Sequence, residues 1–368
     1  MRSNLMHYSG WLKITLFFTV LLLVLIVGAN ILMDTHGVYY SLFSSPKDKK
    51  ISSAMFLAGL NQQIYNSELI FRNPERFDSF LFGTSRVSAI DTSRMTTGRF
   101  YNMSSPQALL AEDLAVIKTF LKKGIKIRNV IIGLDEFSFT SRIQDHEKQL
   151  ITIMHPEVSG KSRASVFFKF FFRMPRSFEL SREFDYLFKN VDAKAELTDN
   201  GLNLFWLQTE RIITASGKPL FSDPPFVYDP FVFNVRLVQE VLDQVDELKE
   251  LSRKNHFTLT FFFNPIQARR YANFAEGFLS IKQKLARHTD FYDFSGFNSI
   301  TTNNLNYYEE QHYRYLVGEM IVQRMFGNNH RYGPDDFGVL VTKDTVENYT
   351  HKQKREMDEY LAEMATKK

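Results

Sequence analysis

The run Asn129–Leu134, NVIIGL, does most to constrain the fold of this chain. After its first residue it is apolar throughout, with no alternation of polar and apolar positions. A strand with one face in water alternates with a period of two. A continuous apolar run is expected where both faces are buried, as in a parallel sheet covered by helices. Similar short runs recur at Asp78–Phe82, Phe100–Met103, Phe257–Phe263 and Phe291–Phe294. Helical stretches lie between them. Ser105-Pro106 reads as a helix start, with a capping serine and proline at the first helical position, and Gly124 reads as the stop. Asp229-Pro230 opens a helix to about Lys254, with Val235, Val238, Leu242, Val245 and Leu248 on one stripe. Gln267–His288 and Tyr313–Phe326 are the last core helices. Five strands alternating with helices predict an α/β fold: a three-layer α/β/α domain with a parallel five-stranded sheet, right-handed crossovers and strand order 2-1-3-4-5.

Ile14–Met33 contains no charged residue. Its 20 residues span about 30 Å as a helix, the thickness of a bilayer's hydrocarbon core. Tyr8 and Trp11 stand where interfacial aromatics belong, although Lys47, Lys49 and Lys50 weaken the charge asymmetry. The segment reads as a single signal anchor in the cytoplasmic (inner) membrane, with the body of the chain outside. A cleaved signal peptide ending near Val27-Gly28-Ala29 is the rival, disfavoured because the apolar run continues past Ala29. The expected organisation is a cytoplasmic tail (1–13), the transmembrane anchor (14–33), a polar stalk with a leading helix near Ile51–Phe71 (34–76), the α/β domain (77–332) and a polar tail (333–368). An insertion at 140–228 follows strand three, which predicts that it lies over the carboxyl edge of the sheet. It carries the run Val166–Arg173, VFFKFFFR, and a Pro-rich turn at Asp223–Pro225. The Phe run reads first as the core of that insertion, and second as a membrane-proximal or partner-docking surface.

Composition removes several function classes. With 45 basic and 41 acidic residues, the net charge of +4 gives no electrostatic reason for nucleic-acid binding. The absence of cysteine excludes disulfides, thiolate metal sites and cysteine nucleophiles. His146 and His155 do not stand at metal-ligand spacing, and no Gly-rich phosphate loop occurs, so neither a metal nor a cofactor is expected. A serine remains. Ligands in open α/β sheets collect outside the carboxyl ends of the strands, and Ser85 stands just there on strand one, two residues after Gly83. Late in the chain Glu309 precedes His312 by three positions, reading as the opening of the last helix. A serine hydroxyl needs a base to take its proton, and the base needs an orienting partner. Gly83 is expected to allow a tight turn and close approach of substrate. Donors for a developing oxyanion are expected from the Ser85 N–H, from the loop after strand two (Asn102–Gln107, with Asn102 at the strand tip), and from the loop after strand three (Asp135-Glu136).

Four stretches carry a resemblance: FLFGTSRV around Ser85, FYNMSS around Asn102, NVIIGLDEFSF on strand three, and FYDFSGFNSITTNNLNYYEEQHY before the last helix. With them the chain resembles the SGNH (GDSL-like) hydrolase superfamily. More narrowly, it looks like the membrane-anchored branch that includes the D-alanyl transfer protein of teichoic acid synthesis and the alginate O-acetylation proteins. The resemblance covers about Phe77–Phe326 without the insertion. It implies Ser85 as nucleophile, His312 as general base and acid, and Glu309 as its orienter. It also implies a periplasmic, serine-dependent O-acyl transferase or esterase, acetyl foremost, acting on a cell-envelope polysaccharide beside a membrane-bound O-acyltransferase partner. The chain departs from the family pattern in three places. Glu309 replaces the usual aspartate, no glycine follows Asn102, and LDEF stands where the third block carries asparagine. The missing third-block asparagine motivates an alternative, a non-catalytic glycan-binding or scaffold subunit of an envelope assembly. Whether Ser85 and His312 come within hydrogen-bond reach separates the two. A third reading is a lipid or thioester hydrolase with the Phe-rich insertion as a lid.

Overall fold

Five strands run parallel in the order β2-β1-β3-β4-β5: β1 (Ser79–Gly83), β2 (Phe100–Asn102), β3 (Asn129–Leu134), β4 (Thr258–Phe263) and β5 (Phe291–Asp293). This is the order expected from the sequence. The computed structural model describes residues 2–43, 59–146, 148–177, 180–181, 197–222, 227–327 and 333–366. Position 131 on β3 packs with Leu81, Phe262 and the Tyr315–Phe326 helix on one face. Positions 130 and 132 pack with Phe80, Phe82, Phe261, Phe263 and the helices Leu110–Lys122, Val235–Asn255 and Ala275–Leu285 on the other. Successive side chains of a strand point to opposite faces, so the apolar run of β3 is divided between two cores, as its lack of alternation requires.

Several elements differ from the sequence reading. Strands β6 (Tyr307–Glu309) and β7 (His312–Tyr313) form a separate hairpin just before the Tyr315–Phe326 helix. The region expected to be a polar tail supplies a sixth, antiparallel strand, β8 (Val339–Val341), on the β5 edge, and then the Val346–Thr366 helix. That helix is fixed by a buried lysine. Lys282 Nζ lies 2.6 Å from Asp293 and donates to Tyr271, Ser295 and the Gln353 side chain of the terminal helix. The helix expected from Ser105-Pro106 starts instead at Leu110, where Glu112 reaches back to the Leu109 N–H at 3.0 Å. Residues 104–109 are thereby left as a loop above the strand tips. Similarly, Asn234 rather than Asp229 caps the Val235–Asn255 helix, its Oδ1 accepting from the N–H groups of Arg236 and Leu237. The helix expected over 267–288 is two, Ala268–Ala272 and Ala275–Leu285. The Pro-rich turn at 223–225 and the 51–58 part of the expected leading helix lie outside the described residues.

The N-terminal helix runs from Arg2 to Met33, and its Gly10–Met33 portion is long and apolar enough to cross a membrane. Its last turns dock on the body of the protein. Val27 and Ile31 pack with Val166, Phe170 and Phe171 of the Arg163–Phe171 helix. Asn30 donates to the carbonyls of Phe171 (2.9 Å) and Arg173 (2.7 Å), satisfying groups at the end of that helix. Residues 34–43, expected as part of a polar stalk, form a compact turn and a short helix, Val38–Phe43. Gly37 (φ 64°) turns the chain, Asp34 accepts from the N–H groups of Tyr39 and Tyr40, and Val38 and Leu42 are buried against Ile64 and Ile153. One face of the Phe run, Val166, Phe170 and Phe171, therefore packs on the N-terminal helix. A different part of the insertion, the Leu204–Ser216 helix, lies against the hairpin and the Tyr315–Phe326 helix.

Candidate active site

The site is built on two glycines. Gly83 and Gly133 face each other across β1 and β3. Gly83 has φ 141°, and a Cβ there would lie 2.7 Å from the Gly133 carbonyl oxygen. A Cβ on Gly133 would meet Val87 at 2.6 Å. Glycine is thus required for the approach of two backbones, where the sequence reading expected an approach of substrate. The chain leaves β1 through Thr84 into a short 3-10 turn, Ser85–Ala89, which presents Ser85 half-buried.

Ser85 Oγ lies 2.8 Å from His312 Nε2. His312 Nδ1 is hydrogen-bonded to Glu309 Oε1, and Glu309 Oε2 accepts from the Gln311 N–H at 2.9 Å. Serine, histidine and glutamate are brought together as the sequence predicts, by a different local structure. Glu309 and His312 are paired residues across the two-residue Glu310-Gln311 turn of the β6–β7 hairpin, not the first turn of a helix. Burial works against a charged Glu309, but the hydrogen bond and charge of His312 and the Gln311 N–H outweigh it and hold the carboxyl below its usual range. A carboxylate on Nδ1 places the proton there and leaves Nε2 to accept from the serine.

Three residues that the sequence reading did not single out complete the frame. Arg86 is 2% exposed. Its guanidinium donates to Glu136 at 2.7 and 2.8 Å, lies 2.9 Å from Asp135, and donates through Nε to the Gln311 carbonyl at 2.8 Å. It therefore fastens the serine turn to the histidine hairpin. Burial opposes all three charges: attraction to the carboxylates nevertheless raises Arg86, and Arg86 with Arg270 lowers Glu136, whereas at Asp135 burial prevails and its pKa is raised. Trp206 lies over the His312 ring, with centroids 5.2 Å apart and planes at 28°. Its Nε1 donates to Ser88 Oγ at 2.7 Å, which in turn donates to the Ser85 carbonyl at 2.5 Å. Gln107 is the third, in the loop after β2 that the sequence reading singled out as a whole. It has a left-handed backbone (φ 54°), unusual for a residue with a Cβ. It lines a cleft of about 200 Å³ together with Ser85, Pro106, Phe137 and His312. Among the described residues, neither the Ser85 N–H nor any donor of Gln107 is bonded to another group.

The other expected donors are placed elsewhere. Asn102 is buried, with both side-chain hydrogens directed to the carbonyls of Val87 (2.7 Å) and Ile90 (3.1 Å) and its oxygen accepting from the Ser104 N–H. It shapes the turn after Ser85 and has no N–H left for an oxyanion. Asp135 is fully buried beneath the serine turn, accepting from Thr84 Oγ1 at 2.5 Å and from the Phe137 N–H at 3.1 Å. Asp135 and Glu136 hold Arg86, which accounts for LDEF at this position. The sequence signal for this arrangement is an arginine directly after the serine with an acidic pair directly after the third strand.

No protein-family model matches the chain, and no curated protein matches it at a significant level of sequence similarity.

Proposed function

We propose that this protein is a membrane-anchored, serine-dependent O-acyl transferase or esterase of the SGNH type. The observation that carries the reading is the Ser85–His312–Glu309 chain of hydrogen bonds between the turn after β1 and the β6–β7 hairpin. In the reaction, Ser85 Oγ attacks the acyl carbonyl while its proton passes to His312 Nε2. The N–H of Ser85 and the amide of Gln107 receive the oxyanion. The tetrahedral adduct collapses, the leaving oxygen takes the proton from His312, and the acyl group stays on Ser85. Water or an acceptor hydroxyl then gives its proton to His312 and attacks the acyl-serine, which releases acid or transfers the acyl group. Glu309 holds the imidazole and balances its transient charge, and Trp206 covers its face. A cleft of about 200 Å³ is smaller than the 300–1,000 Å³ typical of sites for larger ligands, which supports a short acyl group such as acetyl. The substrate is a cell-envelope polysaccharide, the domain lies on the extracytoplasmic face of the inner membrane, and a membrane-bound O-acyltransferase supplies the acyl group. These three statements rest on the family resemblance.

The scaffold alternative expects Ser85 and His312 to be held apart, and the 2.8 Å separation argues against it. The test is turnover of an activated acetyl ester by the full chain in detergent. Wild type should release the alcohol with an acetyl adduct on Ser85, and Ser85→Ala should do neither while unfolding at the same temperature. Undiminished turnover by Ser85→Ala would refute the assignment.

A further inference from the structure

The Arg163–Phe171 helix has two apolar faces, and only one is accounted for by the fold. Val166, Phe170 and Phe171 are buried against the end of the N-terminal helix. On the other side Phe168 is 57%, Phe172 44% and Met174 71% exposed. Phe168 and Phe172 have ring centroids 4.6 Å apart, and Phe172 is joined through Phe167 to Phe43, so the exposed rings form one continuous patch. A continuous exposed apolar patch marks a site of interaction with a membrane or a partner. Two observations specify the occupant. The patch adjoins Asn30, which is bonded to the carbonyls at 171 and 173. Trp11 and Asn30 are separated along the helix by about 30 Å at 1.5 Å per residue, the thickness of the hydrocarbon core, and the intervening side chains from Trp11 to Leu25 face outward. With Trp11 at one interface, Asn30 lies at the other, and the Phe168–Met174 face lies at the same level. In addition, the segment 161–176 carries Lys161, Lys169, Arg173 and Arg176 and no acidic residue, besides Arg163, which is bonded to the Leu42 carbonyl and Glu68. Aromatic and aliphatic side chains among basic ones characterise a helix that lies in a membrane interface of anionic lipid.

We infer that the Phe168–Phe172–Met174 face is a second membrane contact, seated in the headgroup region of an anionic bilayer beside the anchor. The inference is independent of the reaction at Ser85 and rests on the Gly10–Met33 helix crossing the bilayer. The chain contains no cysteine, so a single introduced thiol carries a unique environment-sensitive fluorophore. Full-length Phe172→Cys and Phe168→Cys are to be labelled and reconstituted into vesicles of phosphatidylcholine with phosphatidylglycerol. Leu22→Cys reports insertion of the anchor. Leu340→Cys, 48% exposed on β8 at the sheet edge opposite β2, reports solvent. The probes at 168 and 172 should be blue-shifted, quenched by headgroup-proximal spin-labelled lipid and shielded from iodide at least threefold relative to the probe at 340. The shielding should weaken in vesicles of phosphatidylcholine alone. A probe at 22 sheltered by lipid, together with probes at 168 and 172 as open to iodide as the one at 340, would overturn the inference. So would shielding found only in native membranes and not in these vesicles, since the occupant would then be a protein. A probe at 22 open to iodide would remove the premise of a spanning anchor.

Discussion

Arg86→Met tests whether the cluster beneath the serine turn holds the site together. Methionine approximates the length of the arginine stem but leaves Asp135 (0% exposed) and Glu136 (6% exposed) without the guanidinium that lies against both. Removing one partner of a buried ion pair costs about 3–5 kcal/mol. The lower end applies here. Glu136 keeps Arg270 at 2.9 and 3.0 Å, and Asp135 keeps Thr84 and the Phe137 N–H. We expect a loss of about 3 kcal/mol at pH 7, which for a domain of this size lowers Tm by about 6–12 °C. The sign of the pH dependence follows from the same geometry. Burial already holds Asp135 above its ordinary value, and loss of Arg86 shifts both carboxyls upward, so the deficit is full at neutral pH and shrinks as the pH falls toward the ordinary carboxylate range. Thermal unfolding of the purified full chain in detergent at pH 7 and pH 5 measures both effects. The triple variant Arg86→Met, Asp135→Asn, Glu136→Gln should recover most of the lost stability at pH 7 without recovering turnover, because the Arg86–Gln311 bond that fixes the hairpin stays absent. A loss below about 0.5 kcal/mol, within the range of ordinary surface substitutions, or a triple variant no more stable than the single one, would refute the reasoning.

Gln107→Ala should lower kcat for the acetyl ester by about 10²–10³-fold with little change in KM, as expected for one oxyanion donor. Gln107→Gly should lose the same activity yet unfold no earlier than wild type, because a left-handed backbone costs a residue with a Cβ about 1 kcal/mol; an active Gln107→Gly would return the donor role to the backbone alone. Glu68 gives a prediction about acid stability. Burial opposes its charge, but hydrogen bonds from His155 (2.7 Å) and Arg72 (2.7 Å) prevail and lower its pKa from 4.5 to about 2. A depressed carboxyl stabilises above its unfolded pKa and loses that contribution as pH falls through the folded value. Wild type should therefore exceed Glu68→Gln by up to about 3 kcal/mol at pH 7, and the difference should fade between about pH 4.5 and pH 2. A difference that stays constant across that window in denaturant titrations would count against the assignment.

The parts of this fold legible in sequence are those where one residue type dominates a run. NVIIGL and the FFF end of FTLTFFF read as buried strands of a parallel sheet, which they are, whereas the strand order 2-1-3-4-5 is an expectation that no single run dictates. Elements decided by pairing rather than by composition were not legible. VLV at 339–341 is three residues long with Leu340 exposed, and only the open edge of β5 makes it a strand. In YYEEQHY the three-residue spacing of acid and histidine suits both a helix face and a two-residue hairpin. The Tyr307–Tyr313 pairing decides for the hairpin. The identities of Ser85, His312 and Glu309 followed from residue chemistry, whereas the roles of Arg86, Trp206 and Gln107 depend on contacts between segments up to 225 residues apart. Asn102 shows the converse. Its position at a strand tip suggested a donor, but two backbone carbonyls nearby claim both its hydrogens.

The compact turn at residues 34–43 bears on how such a domain would meet its substrate. A domain on a long flexible tether samples a hemisphere above its anchor, and its encounters follow the concentration of substrate in the volume it sweeps. Here Asp34, Gly37 and Asn30 leave no slack between the N-terminal helix and the body. With that helix in a bilayer, the domain can spin about the membrane normal and drift laterally, but the height and tilt of the Ser85 cleft are fixed by the fold. Its reactions would then be confined to a thin layer, and their rate would scale with the number of substrate sites per unit area of membrane.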